Sequence, residues 1–152
     1  MTKFQFRPAA LLRIRESVRD QRRAELAEAQ RNEATLLDRL KQVNAEQRRV
    51  ETECRRAAAP GLVKVSHLAE AKRYAAVLRE RESELLERRQ TISREIEERR
   101  QALVEADREV RTLEKLRESQ LETFQLQENR QAARLLDETA LQKIVTGTMK
   151  SA

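Results

Sequence analysis

Side chains that could act as nucleophile, base or metal ligand are few in this 152-residue chain. His67 is the one histidine and Cys54 the one cysteine. A zinc site needs three or four such ligands at short spacing, and there is neither a histidine cluster nor a Cys–His pair with metal spacing. Transfer chemistry needs a nucleophile beside a base in a pocket that excludes water, and no G-x-x-x-x-G-K-[ST] run is present to cradle phosphates. The chain reads as a non-enzyme with no cofactor and no small-molecule substrate. His67 reads as a solvated residue near a helix start, and Cys54 as a small side chain on an apolar stripe. A lone cysteine excludes an internal disulfide and suits a reducing compartment.

What remains in quantity is arginine. The pairs Arg22-Arg23, Arg48-Arg49 and Arg55-Arg56 could bind phosphates, and a net charge of +6 suits an acidic partner, nucleic acid or an anionic membrane surface. Each pair is interleaved with Glu and lacks an aromatic stacking platform, and no basic region runs ahead of the heptads. A solvated helix face is the better reading.

The elements carrying these residues follow from a stripe. Alternate steps of three and four from Leu68 land on Ala71, Ala75, Leu78, Glu82, Leu85, Arg89, Ile92, Ile96, Arg99, Leu103, Ala106, Val110 and Leu113, of which only three are charged. A spacing of 3.5 faces one partner over such a length only if two helices supercoil. The partner lies upstream, in Leu26, Ala29, Glu33, Leu36, Leu40, Val43, Gln47, Val50, Cys54 and Ala57. With 38% charged and 3% aromatic residues and no Trp, the composition suits a two-helix rod rather than a round core. The fold expected is all-α: a long antiparallel two-helix coiled-coil hairpin, its second helix longer than its first, forming one domain over residues 1–152.

Helix one is expected over about 8–59, a turn over 60–65 and helix two over 66–145, because Pro8, Pro60, Gly61 and Gly147 are the only prolines and glycines. Pro8 suits a first helical turn, Pro60-Gly61 a stop and Ser66 an N-cap. The link Leu62-Val63-Lys64-Val65 is apolar enough to fold over the hairpin tip. Leu11, Ile14 and Val18 form an opening apolar face out of register with the stripe from Leu26, which implies a stutter near Arg22. Pairs four apart, such as Glu51 with Arg55, support the exposed faces. Glu82, Arg89 and Arg99 sit on the stripe, and for at least two of them the simpler reading is a long side chain leaning out of the seam. Tyr74 reads equally well as a flank residue beside Leu78 and as a partner-binding one.

A turn at 60–65 sets opposite each other residues whose numbers add to about 125, so Leu11 meets the region of Leu113. About thirty residues of helix two then extend past helix one, some 45 Å at 1.5 Å per residue. They carry Leu121, Phe124, Leu126, Leu135, Leu136, Leu141, Ile144 and Val145, which imply another molecule. An isolated helix of this kind is marginal in water, so fraying is expected beyond about Leu126.

The opening Phe4-Gln-Phe6-Arg-Pro-Ala-Ala-Leu11-Leu12-Arg13-Ile14-Arg15-Glu16, with the following Ala/Glu/Arg-rich run, resembles the flagellar export family FliJ, as do the break near residue 60 and the Tyr74-x-x-x-Leu78 spacing after it. The resemblance implies a non-catalytic coiled-coil stalk of flagellar type III protein export. Such a stalk links the export ATPase ring to the cytoplasmic domain of the membrane export-gate protein and assists in recycling export chaperones. It implies gate binding at Tyr74, Leu78, Leu85, Val43 and Val50, and an ATPase-facing end at Phe4, Phe6, Leu11, Leu121 and Phe124. Helix one lacks the aromatics that some relatives carry on the gate-binding surface. The expected location is cytoplasmic, peripheral at the inner face of the cell membrane at the flagellar basal body, since no apolar run spans a membrane and no signal peptide is visible. The stripes leave open the equivalent stalk of a virulence type III secretion system and a basic coiled-coil nucleic-acid-associated protein. Steep salt dependence would mark the last.

Overall fold

The computed structural model describes residues 3–61 and 64–149, with side chains up to Gly147. It holds two α-helices, α1 (Ala9–Ala57) and α2 (Val65–Met149), and no strand among the described residues. The fold is all-α, and the second helix is the longer at 85 residues against 49.

Prolines and one glycine set the ends. The Leu12 N–H donates to the Pro8 carbonyl at 2.9 Å, so Pro8 caps α1 from just outside its first turn, where a missing N–H leaves nothing unsatisfied. At the other end Pro60 has no N–H for the Arg56 carbonyl. The Ala59 N–H donates to it instead at 3.2 Å, tightening the last turn. Gly61 follows with φ 143°, a conformation that a side chain would strain. The expected N-cap at Ser66 is corrected: Leu68 N–H donates to the Lys64 carbonyl at 3.1 Å, which makes Lys64 the capping position and puts Ser66 inside α2. Leu62 and Val63, expected to cover the tip, lie outside the described residues.

Contacts gather the chain into two compact units. In the unit formed by Asp20–Glu105, α1 and α2 run antiparallel, and the buried side chains are Ala29, Leu36, Leu40, Val50, Leu78 and Ile96. Its cross-helix hydrogen bonds join Tyr74 to Glu46, Gln47 to Glu82 and Arg99 to Glu25, following the pairing rule that the turn implies. The unit formed by Met1–Arg19 and Ala106–Ala152 buries Leu12, Ala106 and Val110 and carries an ion pair between Arg15 and Glu109 at 2.7 Å. Thirteen of the fourteen stripe positions on α2 are buried or half-buried, Arg89 being the exception. Threonines on the exposed faces return their hydroxyls to carbonyls one turn back, as Thr52 does to Arg48 and Thr112 to Arg108.

Two expectations about the seam are overturned. Of the expected opening face only Val18 is half-buried: Leu11 and Ile14 are 43% and 59% exposed, while Leu12 is buried at 6%. The Leu26 stripe continues backward in unchanged steps through Arg22, Arg19 and Arg15 to Leu12, and Arg15 and Arg19 are half-buried. No stutter is required near Arg22. Long arginine stems cover the seam while their heads reach its edge, as Arg15 does to Glu109, so a search for apolar residues alone misses these positions. The second correction concerns Glu82 and Arg99, which do more than lean outward. Gln47 Nε2 donates to Glu82 Oε2 at 2.8 Å, and Arg99 donates both to the Glu25 carbonyl and to Glu95. Both bind across the seam at fixed positions along the partner helix, so they oppose any slip of one helix along the other.

Beyond Leu126 the helix does not break. It continues to Met149, through the good helix formers Ala132, Ala133, Leu135 and Leu136. Its apolar side chains face solvent, Leu126 at 57%, Leu135 at 61%, Leu136 at 70% and Leu141 at 63% exposed. With these side chains in solvent rather than packed on a second helix, amides from Arg130 to Leu141 should exchange with solvent at least about a hundredfold faster than those at Leu78 and Ile96. Hydrogen exchange read by mass spectrometry checks this, and equal protection would mean that the segment has another source of stability.

Candidate functional site

In the Asp20–Glu105 unit, Val43 from α1 and Tyr74, Leu78 and Leu85 from α2 line one groove of about 430 Å³. Tyr74 and Leu78 stand one helical turn apart and Leu78 and Leu85 two turns apart, which places all three on one flank of α2. Leu78 is 2% exposed and supplies only the floor, while Val43 and Leu85 are half-buried and Tyr74 is 40% exposed. The Tyr74 hydroxyl donates to Glu46 Oε1 at 3.2 Å, and Arg49 donates to the same oxygen, so the ring is tied across the seam. Replacing Tyr74 with Phe should lower stability by under about 1 kcal/mol, because the bond lies at an exposed edge. A urea titration followed by circular dichroism checks this.

Val50 does not join the others. It is 2% exposed and lines a separate cavity of about 690 Å³ with Gln47, Cys54, Ala75 and Glu82, so it packs within the seam. Residues passed over in the sequence surround the Tyr74 groove: Arg39, Glu46, Arg81 and Arg88. A signal for them existed. Arg81 and Arg88 flank Leu85 by four and three residues, and Arg39 precedes Val43 by four, spacings that share a helix face.

In the other unit, Phe4 and Phe124 meet with ring centroids 5.7 Å apart and planes tilted by 53°. Such a pair contributes roughly 0.5–1.5 kcal/mol beyond its area. It holds the segment ahead of α1 against α2, with a turn from Ala9 N–H to the Phe6 carbonyl at 3.1 Å guiding the chain in. Phe6 is half-buried, while Leu11 and Leu121 are exposed at 43% and 36%. The structure thus brings Phe4 and Phe124 into contact and leaves Leu11 and Leu121 on the surface. Among the described residues no group of three His, Cys, Asp or Glu could hold a metal ion, and no helix is long and apolar enough to cross a membrane.

Compared with known proteins, residues 5–147 match the family model described as flagellar FliJ protein. No curated protein and no solved structure matches significantly.

Proposed function

The chain belongs to the flagellar FliJ family, whose members are non-catalytic components of flagellar export, and from that premise we propose that it is the stalk between the export ATPase ring and the membrane export gate. In this reading Phe4, Phe6, Leu11, Leu121 and Phe124 form the end that enters the ATPase. The Tyr74 groove, with Val43 and Leu85 at its sides, Leu78 as its floor and Val50 packed behind it, receives the cytoplasmic domain of the gate protein, and the stalk assists the recycling of export chaperones. The protein then works at the inner face of the cell membrane as a peripheral component.

One observation carries the reading. Past the Phe4–Phe124 pair, α2 displays Leu126, Leu135, Leu136 and Leu141 to solvent at 57% to 70% exposure, a density of apolar surface that marks a protein-binding site. The groove supports the second contact, since it combines a half-exposed tyrosine with aliphatic walls, a combination suited to a protein partner. The test is a pull-down of the purified chain against the export ATPase and the gate domain, beside a Phe4→Ala/Phe6→Ala/Phe124→Ala variant. The ATPase should bind the wild type and lose the variant, while the gate domain retains both. If neither partner binds the wild type at any salt concentration, the stalk reading fails.

A further inference from the structure

We infer that the Tyr74 groove is a docking site for an acidic peptide segment that carries an apolar side chain, with arginines at its rim selecting the carboxylates. Two observations meet there. The floor and walls are aliphatic, built from Val43, Leu78 and Leu85, and the rim carries Arg39, Arg81 and Arg88, cations contributed by both helices. Some arginines of the chain are already engaged by acids: Arg15 pairs with Glu109, Arg22 with Glu25, Arg55 with Glu51 and Arg111 with Asp107. The three rim arginines have no ion-pair partner among the described residues.

The acids nearby do not neutralise the rim. Glu46 is engaged by Tyr74 and Arg49, which leaves Glu84 against three guanidinium groups. A planar guanidinium grips a carboxylate through two parallel hydrogen bonds, so the rim favours Asp and Glu beside the anchoring side chain. An aliphatic floor with one tyrosine offers no platform for stacked bases, and Glu84 and Glu46 repel a polyphosphate backbone. A peptide therefore fits better than nucleic acid. The inference adds to the proposed gate contact the chemistry of the partner, and it rests on that reading only for the partner's identity.

The test uses the full chain and a short fluorescent peptide with a central Leu-Phe pair flanked by Asp and Glu. A second peptide carries Lys in place of each acid, and a single-stranded oligonucleotide serves as a third probe. Anisotropy titrations should show the acidic peptide binding the wild type, at least about tenfold weaker binding to Arg39→Glu/Arg81→Glu/Arg88→Glu, and no change for Arg48→Glu/Arg94→Glu, whose arginines lie outside the groove. Leu85→Ala should also weaken it, which reports the aliphatic wall separately and covers the case in which the triple variant fails to fold. Absence of acidic-peptide binding, equal binding of the lysine peptide, or an oligonucleotide that displaces the acidic peptide from the groove overturns the inference. The gate domain, titrated in parallel, answers a different question. If it ignores the wild type while the acidic peptide binds, the gate reading falls and the chemistry of the groove stands.

Discussion

Leu78→Ala should lower the unfolding free energy by roughly 2–4 kcal/mol, a large share of what a two-helix structure can hold. Leu78 is 2% exposed and is among the largest fully buried side chains. Its removal costs both the transfer of the lost methylenes from water and the gap left in the seam. The groove beside it, open to solvent, lets water and neighbouring side chains relax into part of that gap, which keeps the expected cost below the upper end seen in enclosed cores. Leu86→Ala is the matched control. Leu86 is 44% exposed, and its truncation should change stability by no more than about 0.5 kcal/mol. Urea titrations of both variants, followed by far-UV circular dichroism, decide the matter. Similar midpoints for the two would mean that the stripe does not hold the helices together.

The double variant Gln47→Leu/Glu82→Leu should move stability the other way. The pair is part-buried and satisfied by one hydrogen bond of 2.8 Å across the seam. Replacing both partners with apolar residues removes the cost of keeping a carboxylate and an amide away from water, and a gain of roughly 1–3 kcal/mol follows. The gain should come with a loss of definition, because a polar pair on a coiled-coil seam bonds only in one alignment and so penalises slipped and intermolecular pairings. We expect a higher urea midpoint together with dimers or mixed species in size-exclusion chromatography with light scattering. The single variant Glu82→Leu should instead destabilise, since it leaves the Gln47 amide without its acceptor. A double variant that is less stable than the wild type would show that the pair contributes net stability rather than alignment.

Much of the candidate site was readable from residue spacing. Tyr74, Leu78 and Leu85 share a flank because they lie at multiples of a turn, and the break at Pro60-Gly61 sets which part of α1 comes opposite, so the convergence of Val43 with them follows from counting. The family resemblance implies that Phe4 and Phe124 share one end, and their rings meet at 5.7 Å. Val50 lies apart from the others for a physical reason. The pairing rule gives the level along the hairpin but not which side of the seam a residue faces, and Val50 turns inward toward Cys54 and Ala75 rather than toward Tyr74.

The sequence by itself determined that two helices form, that they break at Pro60-Gly61, which is longer and which stripe they share, because periodicity and that break act locally and can be counted. Gly147 stops nothing, since α2 runs through it to Met149. Only the tertiary structure decided the roles of the charged residues on that stripe. Arg15 and Arg19 are half-buried, Arg99 reaches across the seam, Arg89 is exposed, and Arg39, Arg81 and Arg88 gather round an apolar floor beside Glu46 and Glu84. An arginine has a stem long enough to cover apolar surface and a head that seeks whatever carboxylate or carbonyl is in reach. What is in reach is set by the facing helix, and that information appears only once the two helices are side by side.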